Sequence, residues 1–85
     1  MKQFDFVVQT PVGIHARPAM MLVSLARSFL SNIQIYYDGN TADAKNIVKL
    51  LMLHANQGAK VTFLVEGEDE EEACAELQEF CAKNL

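Results

Sequence analysis

The sequence predicts an α+β fold with two layers, in which one sheet is covered on one face by helices. Four short segments place apolar residues at every second position, which is typical of strands with one buried face. Three further segments place apolar residues at helical spacing, which is typical of amphipathic helices. The order is strand–helix–strand–strand–helix–strand–helix. Because every element has one apolar face, packing all the helices on the same side of one sheet buries these faces most simply.

Size and composition indicate one globular domain spanning residues 1–85. The chain has 85 residues, of which 51% are hydrophobic and 21% are charged, a balance that favours a folded core over disorder. The formal net charge of −4 argues against general nucleic-acid binding, which requires a basic face. We therefore expect no nucleic-acid partner.

The sequence contains no segment that suits a membrane. The longest apolar stretch, IVKLLMLHA, is interrupted by Lys49 and is shorter than the ~20 residues that a helical span requires. The first residues, MKQFDFVV, lack the apolar region of a signal peptide. We expect a cytoplasmic protein with no membrane insertion.

The first half of the chain predicts a strand, a loop and a helix. Phe4, Phe6 and Val8 alternate with more polar residues as the first strand, and residues 10–13 (TPVG) read as a loop. A helix is predicted from about Ala16 to Phe29. Its core-facing residues are Leu22, Leu25, Ala26 and Phe29.

The middle of the chain predicts a hairpin followed by a short helix. Residues 33–37 alternate as a second strand, and Asp38-Gly39 is a strong hairpin signal leading to a third strand at 40–43. Asn46 precedes the apolar run IVKLLML and is suited to cap a helix.

The last third predicts a strand and a helix. Residues 61–65 alternate as the fourth strand, and a helical stripe of apolar residues follows the acidic stretch EGEDEEE. Asp69 and Glu72 have the spacing of a capping box. Cys74 and Cys81 lie seven residues apart on this helix, a rise of ~10 Å that is too long for a disulfide. We expect two buried free thiols.

The segment GIHARPA contains the strongest candidate site. Pro18 suits the first turn of a helix, yet no Ser, Thr, Asp or Asn stands before it to cap the helix. The amides of Ala16 and Arg17 are therefore left without a side-chain acceptor. Free amides at the positive end of a helix dipole form an anion site.

His15 stands beside these amides and has the chemistry of a nucleophile. The positive end of the helix disfavours a protonated imidazole, so the neutral ring is expected at physiological pH. A phosphoryl group on the ring would lie beside the amides, and the Arg17 guanidinium could bind it. Gly13 allows the loop to approach the ring. From the residues alone, a histidine that only packs in a loop remains the alternative.

The chain resembles the HPr family, the histidine phosphocarriers of the bacterial sugar phosphotransferase system. The resemblance rests on GIHARPA and on the order of elements across essentially all 85 residues. Further agreement comes from DGN at 38–40, AKxIxKL at 44–50, QG at 57–58 and VEGEDE at 65–70.

This resemblance implies a function for the candidate site. His15 would accept a phosphoryl group from phosphorylated enzyme I and donate it to the enzyme IIA unit of a sugar permease, with Arg17 attending the phosphate. The protein would be a stoichiometric carrier rather than a stand-alone enzyme, a monomer that needs no metal or nucleotide. The implied sheet is four-stranded and antiparallel with strand order 1-4-2-3, under three helices. Composition and periodicity do not give that order.

The resemblance also implies a docking surface on the first two helices. The matching positions are Met20, Arg27, Ile47, Val48, Lys49 and Leu51. We expect Val48 and Leu51 to be exposed, although burial of these side chains in the core is the alternative. Arg17, Arg27, Lys45 and Lys49 would surround His15 with positive charge and speed encounter with acidic partners. Ordinary solvated lysines are the competing interpretation, above all for Lys45.

Three positions depart from the family pattern. Asn46 stands where many members have a serine that a kinase phosphorylates, so that switch should be absent here. His54 stands where glycine is usual and could lie in a loop, lie beside His15, or bind a metal together with it. Val12 replaces a commonly polar residue, which removes a hydrogen bond that would orient the histidine. These changes keep open a second function, a regulatory paralogue that acts mainly as a protein-binding module.

Overall fold

The computed structural model describes all residues, Met1–Leu85. The strands are β1 (Lys2–Val7), β2 (Asn32–Tyr37), β3 (Asn40–Asp43) and β4 (Lys60–Glu66), and the helices are α1 (Ala16–Arg27), α2 (Ile47–Met52) and α3 (Glu70–Asn84). The strands form one antiparallel sheet in the order β1-β4-β2-β3. The expected fold class and strand order are confirmed. No helix is long and apolar enough to cross a membrane.

The alternation along each strand places the core on one face of the sheet. Ile35 of β2 pairs with Phe63 of β4, which pairs with Phe4 of β1, so one apolar row crosses three strands. The rings of Phe4 and Phe63 stack with their centroids 4.7 Å apart. The next row along, through Tyr36 and Thr62, lies on the opposite, open face. The helices cover only the apolar face.

The β2–β3 hairpin has the two-residue turn that its sequence predicts. Asp38 and Gly39 both have positive φ, 51° and 82°. Turns of this handedness match the twist of the paired strands, and Asp-Gly tolerates them well. The third strand has the predicted bounds, Asn40–Asp43.

The predicted capping box of α3 is wrong. Asp69 is the residue before the helix, but its side chain makes no cap hydrogen bond within α3. Its carboxylate instead accepts hydrogen bonds from the amides of Leu30 (2.8 Å) and Ser31 (2.9 Å) and from the Ser31 hydroxyl. Three donors from the α1–β2 connection outcompete the amides of its own helix. Asp69 therefore joins two distant segments.

The two cysteines are free, as expected, but only one of them is fully buried. Cys81 lies in the core and Cys74 is partly exposed. Burial raises the pKa of the Cys81 thiol to about 12, because the charged thiolate would lose its solvation there. Cys81 therefore packs as an apolar residue.

Helix α1 is shorter than predicted. It ends at Arg27 rather than Phe29. The Ser28 hydroxyl donates to the carbonyl of Leu25 at 2.6 Å and closes the last turn. Phe29 is buried although it lies beyond the helix, because the chain turns there toward β2.

Candidate functional site

The loop between β1 and α1 packs directly on the segment that precedes β4. The Ile14 amide donates to the carbonyl of Ala55 at 3.0 Å. Gly13 has a φ of +69°, and a Cβ at this position would lie 2.6 Å from the Ala55 oxygen. Only glycine allows this backbone conformation and this approach. The loop therefore delivers His15 to the surface at the start of α1.

Helix α1 begins without a side-chain cap, as its sequence predicts. His15 is the residue before the helix, with extended backbone and no capping hydrogen bond. Its carbonyl accepts the Ala19 amide at 3.0 Å, which is the first helical hydrogen bond. The amides of Ala16 and Arg17 donate to no protein acceptor, and Pro18 has no N–H. Two main-chain donors are therefore available to an anion.

The imidazole of His15 is exposed and makes one hydrogen-bond contact. Its Nδ1 lies 3.2 Å from the carbonyl oxygen of Gly13. A carbonyl only accepts, so this contact requires a proton on Nδ1. It turns the Nδ1 edge of the ring toward the main chain of the loop.

Arg17 lies two residues further along and is exposed. It forms no ion pair with a carboxylate, since the ion pairs of this molecule involve the N-terminus and three lysines. Its guanidinium has five N–H donors in a planar fork that matches phosphate oxygens. The site therefore offers a mobile cation, two free amides and an exposed imidazole.

The predicted ring of positive charge around His15 is wrong for two residues. Arg27 lies at the other end of α1, about 15 Å from Arg17 along the helix axis. Its Nε donates to the carbonyl of Lys45 at 3.0 Å, and the Lys45 ammonium donates to the carbonyl of Phe29 at 2.8 Å. The Phe29 carbonyl lies just beyond the C-terminal end of α1, where a cation is favoured. Both residues tie α1 to the start of α2.

The expected docking surface is partly exposed. Met20 on α1 and Val48 on α2 have 64% and 60% of their surface exposed, and Lys49 is also exposed. Ile47 and Leu51 pack against the core and are only partly accessible. Val48 is therefore exposed as expected, whereas Leu51 is only partly exposed, because it shares with Ile47 and Leu50 the helix face that packs against the core.

An open groove separates α1 from α2 beside these residues. Its lining consists of Met20, Val23, Ser24, Arg27 and Ile47. The groove is apolar along its length, with one cation at its end. Methionine is flexible and polarisable, which suits a surface that contacts more than one partner.

Two of the departures from the family pattern have structural explanations. Asn46 caps α2, since its side-chain oxygen accepts the Lys49 amide at 3.1 Å. His54 follows the end of α2 with a φ of +54°. Glycine is favoured at such a helix-terminating position because it has no Cβ. His54 is exposed, and no three metal-ligating side chains cluster in the protein.

Sequence reasoning missed two supports of the loop. The hydroxyl of Thr10 donates to the Gly13 carbonyl at 3.0 Å. The main-chain oxygen of Leu85 accepts the amides of Gln9 and Thr10. Threonine as the first residue of a turn was a usable signal for the former contact. No local pattern points to the latter, which joins opposite ends of the sequence.

Comparison with known proteins identifies the class to which this fold and site belong. The family model that matches the chain is described as the PTS HPr component phosphorylation site, and it covers residues 2–83. The chain therefore belongs to the HPr family of the phosphotransferase system. Membership in this family supports a phosphocarrier role.

Solved structures of similar proteins have the same fold. The crystal structure of HPr-C-His from Thermoanaerobacter tengcongensis is 34% identical, with a TM-score of 0.94, and the match covers 99% of this chain and 94% of that chain. HPr from Bacillus anthracis is 34% identical, with a TM-score of 0.85 and coverage of 99% and 96%. The catabolite repression protein Crh of Bacillus subtilis, described as a domain-swapped dimer, is also 34% identical, with a TM-score of 0.78 and coverage of 100% and 98%.

Proposed function

We propose that this protein carries a phosphoryl group on His15, which accepts it from phosphorylated enzyme I and donates it to enzyme IIA units of sugar permeases. The observation that supports this most strongly is the start of α1. An exposed imidazole lies beside two main-chain amides that no protein atom accepts. Family membership supplies the reaction class.

The transfer is a displacement at phosphorus between two nitrogen or oxygen atoms. A lone pair on the ring forms the new N–P bond while the bond to the donor breaks and its electron pair returns to the donor. The three phosphoryl oxygens keep their charge throughout. Catalysis of such a step consists mainly of positioning and charge stabilisation.

Nδ1 is the ring nitrogen that we assign as the phosphoryl-bearing atom. It is bonded to Cγ and its edge faces the main chain, where it lies 3.2 Å from the Gly13 oxygen. A group on Nδ1 is therefore closer to the amides of Ala16 and Arg17 than a group on Nε2. Before attack, the proton moves from Nδ1 to Nε2, so the hydrogen bond with Gly13 is lost only at that step and the ring reaches it in the orientation that this bond sets.

Arg17 and the free amides then hold the loaded form. The amides donate to phosphoryl oxygens at the positive end of the helix dipole. The Arg17 guanidinium adds charge-assisted hydrogen bonds. Because these donors are exposed, the group remains accessible to the next protein in the relay.

Met20, Val48, Lys49 and the adjoining groove, with Arg27, Ile47 and Leu51 at its edges, form the surface that we propose for docking. We call it the α1–α2 surface. An apolar centre with cations at its margin fits partners that present an apolar patch ringed by acidic residues.

The central experiment is phosphorylation by enzyme I and phosphoenolpyruvate, followed by mass spectrometry. We expect one acid-labile phosphoryl group on the wild-type protein and none on His15→Ala. Arg17→Gln should lower the transfer rate about 10- to 100-fold, the effect of losing charge-assisted hydrogen bonds worth ~1.5–3 kcal/mol. Lys83→Gln, at an exposed position of α3 outside this surface, is the matched control for loss of one positive charge and should leave the transfer rate unchanged. A phosphoryl group that survives His15→Ala contradicts the proposal.

A second candidate function is a regulatory binding module, which the similarity to Crh favours. Such a protein would act through the α1–α2 surface without relaying phosphate to permeases. Transfer from the loaded protein to a panel of enzyme IIA proteins separates the two functions. If no enzyme IIA accepts the group while Val48→Asp abolishes a cellular phenotype that His15→Ala leaves intact, the regulatory function is the correct one.

A further inference from the structure

We propose that Thr10 is a positioning residue for His15. Its hydroxyl holds the Gly13 carbonyl in the direction against which the imidazole rests. This inference depends on the proposed function for its kinetic consequence, but its structural part concerns the unphosphorylated protein alone.

The Gly13 carbonyl is shared by two side chains. The Thr10 hydroxyl donates to it at 3.0 Å, and His15 Nδ1 lies 3.2 Å from the same oxygen. A carbonyl oxygen has two lone pairs and can accept both donors. Thr10 and His15 are thus joined through one atom.

Thr10 is itself fixed from two directions. Its amide donates to the Leu85 main-chain oxygen at 3.1 Å, and its carbonyl accepts the Gly13 amide at 3.0 Å. Leu85 is 3% exposed and belongs to the core at the end of α3. The hydroxyl therefore donates from a position that the core determines.

The imidazole has no other polar support in the protein. The Gly13 oxygen is its single hydrogen-bond contact, and the ring is exposed. Val12, which lies between Thr10 and His15 in the sequence, is 64% exposed and has an apolar side chain. The direction of the Gly13 carbonyl therefore selects the ring orientation.

The structure shows no hydrogen bond between Val12, whose side chain is apolar, and His15. Valine at that position was expected to cost the histidine an orienting hydrogen bond. Thr10 instead supplies a hydroxyl donor two residues earlier, and the donor acts through the Gly13 carbonyl. In this chain, the side-chain hydroxyl nearest to the imidazole support is therefore that of Thr10.

Without the hydroxyl, the carbonyl can turn and the ring can leave the orientation in which Nδ1 faces the loop. The proposed transfer then starts from a less populated conformation. Loss of one neutral hydrogen bond corresponds to a decrease of about three- to tenfold in kcat. KM for enzyme I should not change, because the α1–α2 surface is untouched.

The test compares Thr10→Val, Thr10→Ser and Thr41→Val. Thr10→Val removes the hydroxyl at nearly constant shape, Thr10→Ser keeps it, and Thr41→Val makes the same replacement at an exposed position of β3. Three-bond NMR couplings of His15 report its side-chain rotamers. Steady-state kinetics with enzyme I report kcat and KM.

We expect one dominant His15 rotamer in the wild type, in Thr10→Ser and in Thr41→Val, and averaged rotamers in Thr10→Val. Only Thr10→Val should have a lower kcat than the wild type. If Thr10→Val keeps the wild-type rotamer and kcat, the proposal is overturned. It is also overturned if Thr10→Ser, which keeps the hydroxyl, loses kcat to the same extent as Thr10→Val. If Thr10→Val does not fold, Thr10→Ala takes its place with the same expectations. A wild-type protein that accepts no phosphoryl group contradicts the proposed function, while the rotamer measurement still decides the role of Thr10.

Discussion

At position 13 the chain has no room for any side chain. The missing Cβ of Gly13 would lie 2.6 Å from the Ala55 oxygen and 2.8 Å from the Asn56 Cα, both main-chain atoms that cannot move aside easily. The positive φ adds a second restriction. The position of the His15 ring therefore depends on the absence of a side chain two residues before it.

We expect Gly13→Ala to destabilise the protein by about 2–4 kcal/mol, since it combines a backbone clash with an unfavourable φ. Urea unfolding measures this change. Gly39→Ala is the matched control, because Gly39 also has positive φ but no atom within 4 Å of its absent Cβ. In Gly39→Ala, the free energy of unfolding should fall by only about 1 kcal/mol. If Gly13→Ala and Gly39→Ala lowered the free energy of unfolding equally, the close approach of Gly13 to Ala55 would be unimportant for stability.

The sequence was most informative about the residues at the start of α1. The absence of a capping side chain before Pro18 predicts free amides, and the structure has them. This prediction succeeded because a helix start is a local feature. The contact of Leu85 escaped prediction because it joins distant parts of the sequence, whereas the contact of Thr10 with Gly13 is local and its turn signal was overlooked.

At the scale of elements, Asp69 connects α3 to the turn between α1 and β2. The Ser31 hydroxyl, the Leu30 amide and the Ser31 amide all donate to its carboxylate. These donors, led by the Ser31 hydroxyl, hold the pKa of the Asp69 carboxyl below its ordinary value of 3.8. The charged form is therefore favoured by folding.

This depressed pKa predicts how stability depends on pH. The contribution of Asp69 is complete above the unfolded pKa near 3.8 and is lost as the pH falls through the lower, folded pKa. Asp69→Asn should unfold at lower urea concentration than the wild type at pH 7, and the difference should narrow below pH 4. Urea unfolding across this pH range measures it.

Glu79→Gln is the control for this prediction, since Glu79 lies on the exposed side of α3 in a surface pair with Lys83. It should change stability little at pH 7. A difference between Asp69→Asn and the wild type that persists undiminished at pH 2.5 would contradict the proposed role of the charge.

The capping-box error illustrates what a pattern of elements cannot reveal. The spacing of Asp69 and Glu72 is compatible with a cap, yet the carboxylate has better donors on a segment far away in sequence. Glu70, not Glu72, accepts a hydrogen bond near this helix start, from the Gly67 amide at 3.1 Å. Caps are predictable only when no tertiary partner competes.

Across the whole molecule, the cations that form ion pairs are separated from those that form none. The acidic residues before and within the first turn of α3 lie near the N-terminus and Lys2, with ion pairs at 3.0 and 3.7 Å. Arg17 and Lys49 are in no ion pair and lie on the α1 and α2 side. A net charge of −4 thus coexists with unpaired cations on the surface that we propose for docking.

This separation predicts a salt-dependent encounter with acidic partners. The rate constant for association with enzyme I should fall about tenfold or more between low and high salt, because screening shortens the reach of the field. Lys49→Gln should lower the rate at low salt, whereas Lys83→Gln should not. The two variants have the same net charge, and stopped-flow fluorescence compares them. Equal slowing would mean that net charge, rather than the α1–α2 surface, controls encounter.

Some features of the overall fold were predictable from the sequence pattern and others were not. Binary patterning gave the elements and the two layers, because each strand and helix has one apolar face. The strand order 1-4-2-3 came from the family resemblance alone, since antiparallel strands of similar length have no pattern that fixes their neighbours. Leu51 is less exposed than expected because it lies on the same helix face as Ile47 and Leu50, which packs against the core.

The contact of Leu85 with the loop has a consequence for biosynthesis. Gln9 and Thr10 emerge early from the ribosome, but the oxygen that their amides require belongs to a residue made some 75 positions later. The nascent chain therefore cannot complete the support of its own histidine until Leu85 has cleared the exit tunnel.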